Sequence, residues 1–184
     1  MNIQLSWDLF VLVFLLVILA YSFIMGRNQT LKIIISTYIA ILTADGINNL
    51  LSRYISPEMV GFAIPGLDFL SALVLLKILI FVVVIVILTV KGRFSVGFSA
   101  SRSKSLTFLM TAFLGLLSGG LVISTILFYI SGGSFLGGEM TNLNEAISSL
   151  RAQSLMVNSL IVHYNIIFAL PALVFVALSF WERE

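Results

Sequence analysis

The stretch "LVLLKILIFVVVIVILTVKGR", residues 73–93, decides the fold. Across 70–90, seventeen residues are Leu, Ile, Phe or Val. A helix needs about 20 such residues to cross the hydrocarbon core of a bilayer. Lys77 interrupts the run well inside it. The aliphatic residues supply roughly −5 to −10 kcal/mol of insertion free energy, and one central Lys costs about +3. The segment therefore spans in spite of its lysine, and the ammonium needs an explanation of its own.

The rest of the chain has the same solvent. Of 184 residues, 60% are hydrophobic and only 10% charged, against about a quarter charged in a soluble domain. The mean hydropathy is +1.14. This leaves too little polar surface to cover a water-soluble globule. Cysteine is absent, which excludes disulfides, thiol catalysis and thiolate metal sites. The net charge of +2 and the scattered Lys and Arg residues offer no nucleic-acid surface.

Five candidate spans follow, at about 5–25, 32–52, 68–90, 106–130 and 155–181. The first opens with "MNIQLSWD", which lacks Lys and Arg and contains Asp8; it reads as a retained helix rather than a cleaved signal. The second, "KIIISTYIAILTADGINNLLS", turns polar at Asp45, Asn48 and Asn49. It either crosses with its polar end covered by neighbours or forms a re-entrant hairpin broken at Gly46. "GGSFLGGEMTNLNEAISSLRAQS" opens as a flexible paired-glycine link. Leu143, Ala146, Ile147 and Leu150 then recur at helical spacing, and Asn142 with Glu145 resembles a capping box. A short amphipathic surface helix is expected at about 142–153, the alternative being an ordinary polar loop. The expected fold is all-α: one integral membrane domain over 1–184, a polytopic transmembrane bundle of about five spans.

Lys and Arg in short loops set topology. Arg27 and Lys32 fall between the first two spans; Lys91, Arg93, Arg102 and Lys104 fall between the third and fourth. Five spans place both groups on one side, the cytoplasmic one, with the N-terminus outside and the C-terminus inside. Lys91, Arg93, Arg102 and Lys104 could also hold anionic lipid headgroups. Trp7 and Trp181 then fall at opposite interfaces.

Counted at about 1.5 Å per residue, Lys77 lies about 20 Å and Asp45 about 18 Å from the cytoplasmic end of their spans. Opposite charges at one depth can pair and lower each other's cost, with Asn48 and Asn49 in support and Asp68 as an alternative partner. Snorkelling of Lys77 to the outer interface, or a polar pathway, are the rival readings. His163, the only histidine, has Asn158 and Asn165 nearby but no metal-binding spacing. Pro171 removes a hydrogen bond from the Ile167 carbonyl and predicts a kink there. Thr111, Gly115 and Gly119 form a small-residue ridge for close helix packing, within the protomer or between protomers. No catalytic motif, cofactor loop or metal cluster is legible.

Three stretches carry a resemblance: "SWDLFVLVFLL", "GRNQTLK" and "SRSKSLTFLMTAFLGLLSGG". Over about residues 5–130 the layout resembles the colicin V production protein family of bacterial inner-membrane proteins. Gly115 and Gly119 match the family glycines, and Ser118 stands where the family usually has Arg. The resemblance implies a non-enzymatic envelope role linked to toxin export. The expectation is an accessory or scaffold protein that acts through other membrane proteins or its own copies. The alternative is a small transporter or channel subunit built on Asp45, Asn48, Asn49 and Lys77. A pathway would need water at Lys77; a scaffold would need close packing there.

Overall fold

The computed structural model describes residues 6–54, 69–94, 104–136 and 151–181, most of which are helical, with no strand among them. The helices are α1 (Trp7–Met25), α2 (Arg27–Tyr54), α3 (Phe69–Lys91), α4 (Lys104–Ile130), α5 (Leu155–Val162) and α6 (Tyr164–Trp181). Four are long and apolar enough to cross a membrane, or five spans if α5 and α6 count as one. The fold is an all-α bundle.

Ser6 caps α1 by accepting from the Leu9 N–H at 3.2 Å. The helix ends at Gly26, whose φ of 81° suits a residue without Cβ. Its carbonyl already accepts from the Thr30 N–H at 3.1 Å. A single residue thus turns the chain, and α2 starts at Arg27 rather than near residue 32. With 28 residues, α2 is about 42 Å long, more than a bilayer core of about 30 Å. It continues through Gly46 without a break, so the re-entrant alternative does not describe this segment.

Burial separates the helices into two sets. Over half of the spanning windows of α2 and α4 is buried (56% and 61%), against 11% for α1 and 17% for α3. α2 packs on α3 and α4, while α1 and α6 pack on α4. Ile34, Ile41, Phe81, Leu121 and Phe128 form the core between them. The outward faces carry large apolar residues such as Leu16, Val17, Leu79 and Leu173, as expected where the solvent is lipid. Some buried hydroxyls are satisfied locally, as Thr37 donates to Ile33 O at 2.8 Å and Thr125 to Leu121 O at 2.7 Å, while those of Ser22, Ser36 and Thr89 have no hydrogen-bond partner among the described residues.

The ridge on α4 is filled by α1 of the same chain. A Cβ on Gly115 would stand 2.9 Å from the Ser22 Cβ, and one on Gly119 3.1 Å from a Leu15 methyl. Thr111, one turn earlier, is buried and donates to Thr107 O.

The last span departs from expectation. Its break is at His163, where α5 and α6 meet at 65°, not at Pro171, which sits inside α6. Hydroxyls of neighbouring helices reach the backbone near both positions. Ser124 of α4 donates to Leu160 O at 3.1 Å, taking a carbonyl beside the break; a side chain in the ladder is a recognised cause of a sharp bend. Near Pro171, the Tyr38 hydroxyl donates to Phe168 O at 2.5 Å, which supports the backbone one residue from the carbonyl that proline leaves unpaired. The surface helix expected at 142–153 lies outside the described residues except for 151–153, which are helical.

Candidate intramembrane ion-pair site

Asp45 stands on α2 and Lys77 on α3, and their side chains meet: Nζ lies 2.5 Å from Asp45 Oδ1. Asp45 is fully buried and Lys77 is 4% exposed. The ammonium therefore does not snorkel. It reaches inward to the end of α4.

That end is why the lysine is there. α4 closes with the Gly132 N–H on Tyr129 O at 2.9 Å and the Gly133 N–H on Phe128 O at 3.0 Å. This is a Schellman closure with Gly132 at φ 77°. The chain then turns back into the bundle instead of leaving it. The closure leaves the Gly133 carbonyl available, and Lys77 Nζ donates to it at 3.0 Å. The Tyr129 ring lies 4.2 Å from Nζ, held by its own hydroxyl on Ile41 O at 3.3 Å. A cation at a helix C-terminus is favoured by the helix dipole, and a cation over an aromatic face by the ring quadrupole.

The carboxylate is equally occupied. Asp45 Oδ2 accepts from the Ser134 hydroxyl at 3.2 Å and from the Leu136 N–H at 3.0 Å. Phe135, between them, stacks on Phe168 at 4.8 Å and packs against Phe128 at 4.6 Å. Segment 131–136, which reads as the start of a flexible link, is thus built into the core. The sequence carries one signal of this. "SGGSF" combines glycines that permit close approach with a hydroxyl and an aromatic ring, but it names no partner.

The other candidates are placed as follows. Asn48 and Asn49 make no hydrogen bond to the pair among the described residues; Asn49 is exposed, and the Asn48 Oδ1 is buried without a hydrogen-bond partner. Asp68 and Arg102 lie outside the described residues. Lys91 and Arg93 are exposed at the end of α3. His163 is exposed at the helix break, and Asn165 is exposed beside it. Asn158 accepts from Arg151 Nε at 3.1 Å.

No family model, curated protein or solved structure matches this chain. The chemistry must be read from the geometry alone.

Sequence reasoning missed a second polar contact. Asp8 Oδ1 accepts from the Ser154 hydroxyl at 2.5 Å and from the Met156 N–H at 3.0 Å. The first turn of α1 therefore caps the N-terminus of α5, where a carboxylate meets unpaired N–H groups and the positive dipole end. Asp next to the interfacial Trp7 was the only available hint.

Proposed function

We propose that this chain is a non-enzymatic accessory or scaffold protein of the bacterial inner membrane, with the N-terminus outside and the C-terminus cytoplasmic. It acts by holding a rigid bundle against other membrane proteins or further copies of itself, in a role linked to toxin or peptide export. One observation carries this reading: the Lys77 ammonium is 4% exposed and has a carboxylate, a carbonyl and a ring face around it. The ammonium is thus enclosed, with its hydrogen bond on the Gly133 carbonyl, its charge met by Asp45 and the Tyr129 ring beside it, which leaves little room for a substrate. The orientation rests on Arg27, Lys32, Lys91 and Arg93 sharing one end of the bundle, since Lys32 reaches the Gly92 carbonyl. The export role rests on the resemblance to colicin V production proteins.

The test is proteoliposome flux measured beside pull-down of the intact protein in mild detergent. A scaffold gives co-purifying membrane partners or cross-linked copies, and no flux of ions or small solutes. A flux lost on Asp45→Leu/Lys77→Leu substitution would overturn the reading. A phosphatase active only outside, fused behind residue 99, stays silent in the proposed orientation.

A transport subunit is the second reading. Two interruptions of helical backbone, at 131–136 and at His163, lie side by side, with the Phe128 and Tyr164 rings stacked at 4.3 Å and Phe135 6.0 Å from Tyr164. Discontinuous helices next to buried charge are the layout of many transporter sites. The flux measurement separates the two.

A further inference from the structure

The surroundings of Lys77 Nζ are organised without help from the lysine. Asp45 is oriented by the Ser134 hydroxyl and the Leu136 N–H. The Gly133 carbonyl is set by the closure of α4. The Tyr129 ring is set by its bond to Ile41 O and by edge contact with Phe81, with centroids 5.7 Å apart. All three groups facing Nζ are electron-rich: a carboxylate oxygen at 2.5 Å, a carbonyl oxygen at 3.0 Å and a π face at 4.2 Å. The site also lies at the negative end of the α4 dipole.

We propose that this cradle is a binding site for a primary ammonium ion, which the chain fills with its own Lys77. A carboxylate at ion-pair distance, a carbonyl that accepts a hydrogen bond and a π face together suit a compact cation that carries N–H bonds, a primary ammonium. Two oxygens and a ring do not replace the hydration shell of an alkali ion, which ion sites replace with more oxygens. A quaternary ammonium has no N–H to offer the carboxylate and carbonyl. The inference rests on the reading of the pair as structural and permanently occupied. It adds the ligand class that the site selects.

Lys77→Ala removes the three outer methylenes and the ammonium, which together correspond to n-propylammonium. The experiment is thermal unfolding of Lys77→Ala in nanodiscs at constant ionic strength. The chloride salts compared are n-propylammonium, methylammonium, tetramethylammonium and sodium, with n-propanol as the uncharged chain. The expected result is a midpoint raised by about 3–6 °C at about ten times the Kd of n-propylammonium. Methylammonium gives a smaller rise, and the other three additives leave the midpoint flat. The wild type responds to none of them. If Lys77→Ala does not fold in sodium, the readout becomes its protease-resistant yield from cell-free synthesis into nanodiscs. Recovery with n-propylammonium then supports the site, and no recovery in any salt overturns it. An equal rise with n-propanol, or an equal response in Asp45→Leu/Lys77→Ala, also overturns it. The scaffold reading falls on the flux measurement instead, so the two failures are distinguishable.

Discussion

Two lysines in this bundle do the same local job at different depths. Lys32 of α2 donates to Gly92 O at 2.6 Å beyond the end of α3, with the Phe94 ring 5.3 Å from its ammonium. Lys77 of α3 donates to Gly133 O beyond the end of α4, with the Tyr129 ring at 4.2 Å. In each case a helix lends a lysine to the C-terminus of the next, and a glycine carbonyl and an aromatic face receive it. Lys32 is half-buried and has no carboxylate among the described contacts; Lys77 is buried and sits on Asp45. At the rim, water and headgroups can solvate the charge. In the interior an uncompensated ammonium costs several kcal/mol, so the same device needs a counter-charge.

The sharpest way to break this comparison is to remove one charge at a time. Lys77→Leu and Asp45→Leu should each destabilise the protein by about 3–5 kcal/mol, because each strands a buried partner. The double substitution should recover much of that loss. A double-mutant cycle on unfolding in bicelles measures the coupling, and strictly additive single effects would mean that the two charges are independent.

The glycines sharpen it next. A Cβ on Gly133 would come 2.5 Å from the Phe128 ring, which is itself held between Phe135 and Tyr164. Gly133→Ala should therefore cost about 1–3 kcal/mol by overpacking. A Cβ on Gly92 would collide with the Leu88 carbonyl, a backbone group that cannot swing aside, and with the Phe94 ring. Gly92→Ala should therefore cost at least as much as Gly133→Ala, about 1–3 kcal/mol. A smaller loss at Gly92 in parallel melts would mean that the backbone at the end of α3 yields more readily than the Phe128 ring.

The smallest effect belongs to the rim lysine. Lys32→Leu should cost about 0.3–1 kcal/mol, the usual contribution of a cation at a helix C-terminus. This loss should shrink in high salt, while that of Lys77→Leu should not. Salt titration of both melts checks the contrast.

The spans and the charged pair are legible for different reasons. Apolar run length reports helices directly, so α1, α3 and α4 fall close to their expected bounds. Asp45 and Lys77 could be related only by counting depth along two antiparallel helices, and depth does not say which way a side chain turns. What remained hidden depends on contacts far apart in sequence. Gly132 and Gly133 look like a loose link until Lys77, 56 residues away, is seen to use the Gly133 carbonyl. The break at His163 lies beside Leu160, whose carbonyl accepts from Ser124 of another helix, a contact that the sequence does not announce. The turn at Gly26 was hidden by polar residues, since "RNQT" reads as loop but is the first turn of α2.

The clasp between Asp8 and the start of α5 joins positions 146 and 148 residues apart. A ribosome delivers the chain in order, so α1 enters the bilayer long before Ser154 and Met156 are made. During that interval the Asp8 carboxylate must be kept in water or headgroups, and the α1–α5 seam stays open. Closing that seam therefore waits for residues 154–156. Truncation before residue 154 would leave the contacts among α1, α2, α3 and α4 available and the α1–α5 seam open.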